Sequence, residues 1–423
     1  MEHERLKLSK PHFLDAEEDI SSTVKLTLSQ GLNDDAVISF RLPADPERHT
    51  DLNSVRLRVS MKITKADGTD LNMPAALPAP PADGAPAPPA PAAVDHVCLE
   101  AGGMHSLFKS CDVYLNEHHA SSMIAYPYTT ALLRYLGCSI NVRNEWSLLD
   151  DSYEWDAAKS NLEAAQAPQW MDNRRNRQAY NYEMNGRIFS DILMSSRQLL
   201  PPGVSLRIDL RRAPDHFSLV SNDTNGQYRI HINYVYLLAK RLKLRPSLLP
   251  MVRESLRSNN CFLTFNRLDT YSITIPQGSR VYRWLNCLNG APMPNRLYVG
   301  FVAQSSVHGN LTQACTYFEN LNIVSLNFKL NGRDLLVEPI LCHIRKNAQN
   351  ETQDRTDLTR PFLGLLEIFG HVTDMMLPPR LRYTTYQKGA TLFGIELGKC
   401  GEKPGTTGSL DLEVFPLLLL ILL

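Results

Sequence analysis

"SVRLRVSMKIT", Ser54 to Thr64, decides the fold class. Val55, Leu57, Val59, Met61 and Ile63 share one side of an extended chain, and Arg56, Arg58, Ser60, Lys62 and Thr64 take the other. Apolar residues at every second position describe a strand with one face in a core and one in water. A helix would gather them at spacings of three and four instead. The same alternation returns in "VSLRIDLRR", with Val204, Leu206, Ile208 and Leu210. It returns in "YRIHINYVYLL", which sets Tyr228, Ile230, Ile232, Tyr234 and Tyr236 on one expected face. "IVSLNFKLNGRDL" places Val324, Leu326, Phe328 and Leu330 together and then turns at Asn331-Gly332, a hairpin dipeptide. "GSLDLEVF" adds Leu410, Leu412 and Val414. Shorter candidates are Val37–Leu42, Cys261–Phe265, Tyr271–Ile275 and Leu297–Val302.

Helical periodicity is scarce. The best segments are Thr129–Leu136, Tyr153–Gln166 and Ser247–Arg257. Strands from both halves of the chain, joined by long polar connections, favour sandwiches over alternating βαβ units. The 423 residues suit about two or three domains. Hydrophobic residues make up 43%, enough for real cores. We place the seam after the strand ending near Leu244, where "RPSLLPMVRESLRSNN" carries prolines and a short helix. The expected domains are 1–246 and 247–423.

Three segments break the alternation. Residues 73–93, "MPAALPAPPADGAPAPPAPAA", are too rich in proline and alanine to build a core and read as an exposed loop inserted between two strands. Residues 144–182 are polar and rich in Trp, Asn, Arg and Gln, a long excursion from the sheets. The ending "FPLLLLILL" is shorter than the ~20 residues of a spanning helix and reads as a buried last strand, with no transmembrane segment expected.

Charge narrows the function. Lys plus Arg and Asp plus Glu are 44 each, so the chain lacks the basic excess of a phosphate-reading nucleic-acid binder. The charged start "MEHERLKLSK" has no apolar signal core. The expectation is a chain not secreted by a signal peptide, with reduced thiols and unused sequons at Asn222, Asn310 and Asn350. Cys98, Cys111, Cys138, Cys261, Cys287, Cys315, Cys342 and Cys400 show no zinc spacing.

Candidate chemistry is thin. His118 and His119 follow a strand and a polar turn at Asn116-Glu117. Adjacent strand residues point to opposite faces, so the pair chelates one ion poorly, and the chain has no His-x-His. They read as solvent-exposed histidines of a polar turn or loop. Phosphate loops, dinucleotide-binding glycines, a nucleophile elbow and the metalloprotease helix motif are all missing. The pair Asp150-Asp151 reads as polar loop. Two basic runs remain: Arg174, Arg175, Arg177 and Arg187, and Lys240, Arg241, Lys243, Arg245, Arg253 and Arg257. They would suit an acidic partner, yet at zero net charge they read as solvated faces. No catalytic, cofactor-binding or metal residue is assigned, and the chain is expected not to be an enzyme.

An ordered series of segments resembles the major capsid proteins of Polinton/Maverick elements and adintoviruses, the hexon-like double jelly-roll family. "SVRLRVSMKITKADGTDL", Ser54–Leu71, is similar to the family's first long strand and its turn. "MHSLFKSCDVYLNEHHASSMIAYPYTTALLRYLG", Met104–Gly137, resembles its next run, with the two histidines at a variable hairpin tip. Tyr180–Leu219, Tyr228–Leu249, Asn295–Leu335 and Thr391–Phe415 follow in family order, Asn295–Leu335 most specifically. The resemblance implies a mostly β chain of two tandem antiparallel jelly-roll sandwiches with small helices in long loops. It implies homotrimers forming pseudo-hexagonal capsomers that tile an icosahedral shell. It also implies a penton or minor capsid partner, and assembly in the host cytoplasm or nucleus before residence in the virion. Two departures stand out. Residues 73–93 replace a short connection, and "FPLLLLILL" replaces a further strand. The second jelly roll is therefore expected to have an altered or truncated last strand, as in a decayed or frameshifted copy integrated in a host genome.

Two rival readings use the same architecture. A lectin-like carbohydrate- or receptor-binding protein would use the aromatic residues Trp146, Tyr153, Trp155 and Trp170. A jelly-roll metalloenzyme would need the missing His-x-His.

Overall fold

The computed structural model describes residues 36–73, 94–137, 149–151, 169–195, 199–223, 225–243, 250, 252, 254, 263, 265–276, 282–285, 287, 293–321, 323, 325–336, 338–342, 344–347, 350–356, 358–368, 381–397 and 410–415. The loop expected over 73–93 lies outside them but for Met73, as do the helix expected over 153–166 and everything after Phe415. Of the helix expected over 247–257, residues 250, 252 and 254 are described, and they are helical. Of the strand expected over 261–265, only residues 263 and 265 are described, and neither is in a strand.

The first half carries β1 (Val37–Leu42), β2 (Arg48–Lys65), β3 (Val97–Leu99), β4 (Phe108–Leu115), β5 (His118–Met123), β6 (Tyr182–Arg187), β7 (Leu199–Leu200), β8 (Leu206–Arg212), β9 (Leu219–Ser221) and β10 (Tyr228–Lys243). One sheet runs β1-β8-β4-β5 and the facing sheet β10-β2-β6, all pairs antiparallel. Their inner faces supply the core. Ile38, Phe40, Val113, Ile208 and Leu210 come from the first sheet and Leu57, Val59, Met61, Met184 and Val235 from the second, each at most 1% exposed. Burying each such aliphatic side chain contributes about 1.5–3 kcal/mol, which is why the alternation holds the register.

β10 departs from its expected face. Ile232 pairs with Met61, but the next pair is Tyr234 with Ser60, so Asn233 bulges from the ladder. The extra residue reverses the phase. Ile230 and Ile232 point inward before it, and Val235 and Leu237 after it. Tyr234 and Tyr236 therefore lie on the outer face, stacked at 4.7 Å, rather than beside the isoleucines.

The second half carries β11 (Tyr282–Trp284), β12 (Arg296–Gly300), β13 (Ser325–Leu330), β14 (Arg333–Asp334), β15 (Ile340–Leu341), β16 (Ile344–Asn347), β17 (Asn350–Thr356), β18 (Leu392–Glu396) and β19 (Leu410–Phe415). One sheet runs β11-β19-β13-β14, with β15 also on β13, and β12 pairs β18. Asn331 and Gly332, at φ 50° and 78°, make the two-residue hairpin that their dipeptide predicts. β19 has partners on both sides, β11 and β13. Tyr271–Ile275 is not a strand, although Ile275 is buried and Tyr271 and Ile273 pack on the core. The apolar spacing there reports burial against a neighbour, not ladder pairing. The chain is mostly β, in two tandem jelly rolls. Helices are short and lie in connections: α1 (Tyr126–Gly137), which begins three residues before the expected Thr129, α2 (Gln169–Gln178) and α3 (Asp191–Ser195) are the ones used below.

Candidate functional site

The two histidines sit in β5, not in the turn. The turn is Asn116-Glu117, both with positive φ, and it sets Leu115 opposite His118 and Tyr114 opposite His119. Both rings are exposed. His119 packs edge-on against Tyr114 at 5.2 Å, with Asp112 at 3.8 Å. Arg207 lies over the Tyr114 ring, 3.9 Å from its centre, and pairs with Glu117 at 2.6 Å. The hairpin tip is thus a surface ion-pair cluster. Among the described residues no three metal-ligating side chains come together.

The polar excursion holds buried charge, which corrects the reading of Asp150-Asp151 and of Arg174 and Arg175 as solvated. Asp150 and Asp151 are 1% exposed, Arg174 7% and Arg175 1%. Arg174 pairs with Asp151 at 2.7 Å, and Arg177, Gln178 and Tyr182 also donate to that carboxylate. Gly103, at φ +56°, lies against the Asp150-Asp151 backbone, where any Cβ would meet atoms at 2.5 Å. His105 joins Tyr126 at 3.1 Å and Asp150 at 3.3 Å. A histidine between a carboxylate and a hydroxyl has the members of a catalytic relay. Here all three are enclosed, and burial pushes the Tyr126 phenol far above its ordinary range, away from nucleophilic use. The cluster pins α2 and residues 149–151 to the first jelly roll. Arg241 of the second basic run is likewise buried, against Asp45 at 3.3 Å.

The seam between the jelly rolls is equally well built. Tyr128, Leu132 and Tyr135 of α1, with Ala213 and Phe217, belong to the core of the second half. The Tyr128 ring meets Phe217 from its own half and Phe318 from the other, both edge-on at 6.3 Å. The Ser221 amide donates to the Leu311 carbonyl at 2.6 Å, and the Cys315 thiol to the Phe217 carbonyl at 2.9 Å. His216 Nε2 donates to the His308 carbonyl at 2.9 Å. At the centre lies Glu100, fully buried. It accepts the Gly102 amide at 2.7 Å from its own half. From the other half it accepts the Thr316 amide at 2.9 Å and the Thr316 hydroxyl. Burial lifts its pKa above the ordinary value. No motif marks Glu100 or Thr316, because the two stand 216 residues apart, half the length of the chain.

A cleft of about 300 Å³ opens beside β5, lined by His119, Ser122, Ile124, Asp191, Asp269 and Tyr271. Its charges are already engaged. Asp191 accepts the Ser121 hydroxyl and the Ile192 and Leu268 amides, and Arg267 pairs with Asp269 at 2.9 Å. Trp146, Tyr153 and Trp155, on which a sugar site would depend, lie outside the described residues. The described cysteines Cys98, Cys111, Cys287, Cys315 and Cys342 are all buried. Among the described residues no helix is long and apolar enough to cross a membrane.

Two jelly rolls in one chain, joined through a packed seam, define the class of protein: a tandem jelly-roll scaffold. The particular likenesses are viral. The chain is similar to one in the cryo-EM structure of the Sputnik virophage, at a TM-score of 0.59 and 12% identity, covering 100% of this chain and 86% of that one. It is similar to the mavirus major capsid protein at a TM-score of 0.50 and 10% identity, covering 95% of this chain and 83% of that one. At such identities the likeness establishes the fold. No protein-family model and no curated protein matches the sequence.

Proposed function

We propose that this chain is a structural major capsid protein. Three copies form a pseudo-hexagonal capsomer, and capsomers tile an icosahedral virion shell with a separate protein at the vertices. The observation that supports this reading is the match of the tandem fold, over 95% or more of this chain, to a chain of the Sputnik virophage and to the mavirus major capsid protein. The packed, hydrogen-bonded seam supports it, because a shell subunit must keep its two jelly rolls in fixed relation. The ordered family motifs support the finer assignment to the Polinton/Maverick and adintovirus group. On this reading the buried polar clusters act as fasteners and the chain is not an enzyme. Assembly relies on apolar area at the interface core, with polar rims such as the Glu117 cluster setting register. Light scattering on the purified chain tests the proposal. A discrete species of three times the 47.7 kDa chain mass is expected. A folded monomer at all concentrations would overturn it and favour a glycan-binding module.

A further inference from the structure

The outer face of the sheet β10-β2-β6 carries two neighbouring tracks. Along β2, Arg56, Arg58, Ser60 and Lys62 alternate with the buried Leu57, Val59 and Met61, so they share the outer face. Successive members stand two strand residues apart, roughly 6.8 Å. On β10 the register sets Tyr236 opposite Arg58, Tyr234 opposite Ser60 and His231 opposite Lys62. A line of cations therefore runs beside a line of rings, one strand spacing of about 4.8 Å away.

The chain is neutral as a whole, yet this face gathers positive charge. Arg187, opposite Arg56, and the exposed Arg229, opposite Thr64, join the cations of β2. The carboxylates beside them are Glu183 and Asp70. Arg58 pairs with Glu183 at 2.5 Å and Lys62 with Asp70 at 2.7 Å. Surface pairs of this kind are weak and give way to a stronger anion. Glu183 also accepts the Tyr234 hydroxyl, and Tyr236 stacks on the Tyr234 ring at 4.7 Å, so a partly exposed ring is held in place before any ligand arrives. Arg56 and Tyr236 have further contacts, which leaves Arg58, Lys62, Arg229 and Tyr234 to meet a ligand.

A second copy of the chain is a poor occupant. Two such faces together would oppose like charges, which is costly. The outer face of β1-β8-β4-β5 offers no acidic complement either, because its Asp112, Asp209 and Glu117 are matched by Arg41, Arg207 and Arg211. What fits two parallel tracks is a polymer of regularly spaced anions that bears flat rings. We propose that this face binds single-stranded nucleic acid without sequence preference, with Arg58, Lys62 and Arg229 on phosphates and Tyr234 stacked on a base. The inference rests on the sheet face and not on the capsid reading.

Fluorescence anisotropy of a labelled oligo(dT) strand with the full chain tests it. A dissociation constant of about 10⁻⁴–10⁻⁶ M is expected at physiological salt, weakening as salt rises. Lys62→Gln combined with Arg229→Glu should weaken binding by ~10-fold or more and flatten the salt dependence. Tyr234→Ala should weaken it by roughly 5-fold or more at an unchanged salt slope, because stacking releases no counterions. Arg211→Glu, on the other sheet, should leave binding as it was. Circular dichroism checks that each variant is folded. Absence of binding at low salt would overturn the proposal. An equal loss in Arg211→Glu would overturn it too, by showing a diffuse charge effect. Duplex DNA held as tightly as the single strand would leave Tyr234 no role, and heparin displacing the strand at lower concentration would assign the face to sulfated sugars. Self-association abolished by Arg229→Glu, with no oligonucleotide bound, would give it to a second copy.

Discussion

Glu100 shows what one side chain does at the seam. Its carboxyl gathers two amides and a hydroxyl, two of the three donors coming from Thr316 in the other half of the chain. Burial raises its pKa above the ordinary value of 4.5, more than its hydrogen bonds and Arg134 lower it. The folded state therefore holds the proton more tightly than the unfolded chain. This contribution to stability is full below the unfolded pKa and is lost as pH rises through the folded one. Glu100→Gln removes the titration. Its amide oxygen can still accept from Thr316, but its NH2 group faces the Gly102 amide and loses that bond, at a cost of about 1 kcal/mol. Urea midpoints between about pH 4 and pH 8 should fall less steeply with rising pH in Glu100→Gln than in the unaltered protein. Parallel pH profiles would show that Glu100 does not titrate there. Glu100→Ala strands buried donors and should cost about 2–3 kcal/mol at low pH, and less as pH rises and the unaltered protein loses the Glu100 contribution.

At the scale of the element, the bulge at Asn233 decides which face of β10 is core. The Asn233 side chain is exposed and donates to the buried Ser60 at 3.2 Å and the exposed Asn181 at 3.1 Å, so Asn233→Ala should cost about 1 kcal/mol. Deleting Asn233 tests the bulge itself. The deletion joins Ile232 to Tyr234, so their pairs with Met61 and Ser60 become consecutive, and Val235 and Leu237 stay in the core. Inserting one residue after Asn233 does the opposite: in a regular ladder it would turn an aliphatic pair worth about 1.5–3 kcal/mol each out of the core, against a total stability of roughly 5–15 kcal/mol. The substituted and deleted proteins are expected to stay folded and soluble, as sedimentation and circular dichroism would report. An aggregating deletion variant would show that the local bend of the bulge, not only the phase it sets, is needed to hold β10 on β2. The same strand shows how far the sequence was legible. Alternation is local, so β1, β2, β8, β10 and β13 could be read directly. The bulge left no mark, because "YRIHINYVYLL" alternates acceptably in either phase when tyrosine counts as apolar. Arg174, Arg175, Asp150 and Asp151 looked like polar loop because only tertiary packing brings their charges together. The hairpin at Asn331-Gly332 was legible because its left-handed backbone demands that dipeptide.

For the whole molecule, the seam predicts that the two jelly rolls unfold as one. Tyr128 is the place to test this, because its ring leaves the first half to sit in the core of the second, 5% exposed. Calorimetry of the unaltered protein should show a single transition. Tyr128→Ala empties an aromatic volume between the halves and should cost about 3–5 kcal/mol. That loss should move the whole transition, not split it. Tyr128→Phe separates packing from polarity. The phenol oxygen is buried and has no hydrogen-bond partner among the described residues, so the folded chain bears its desolvation without return. Phenylalanine keeps the edge-on contacts with Phe217 and Phe318 and removes that burden, so stability should hold or rise by up to about 1–2 kcal/mol. Two separate transitions, with only the second sensitive to Tyr128, would show independent domains. A shell subunit built that way could not transmit load from one jelly roll to the other. A single transition shifted down by alanine and not by phenylalanine would place the mechanical link between the jelly rolls in the packed ring itself.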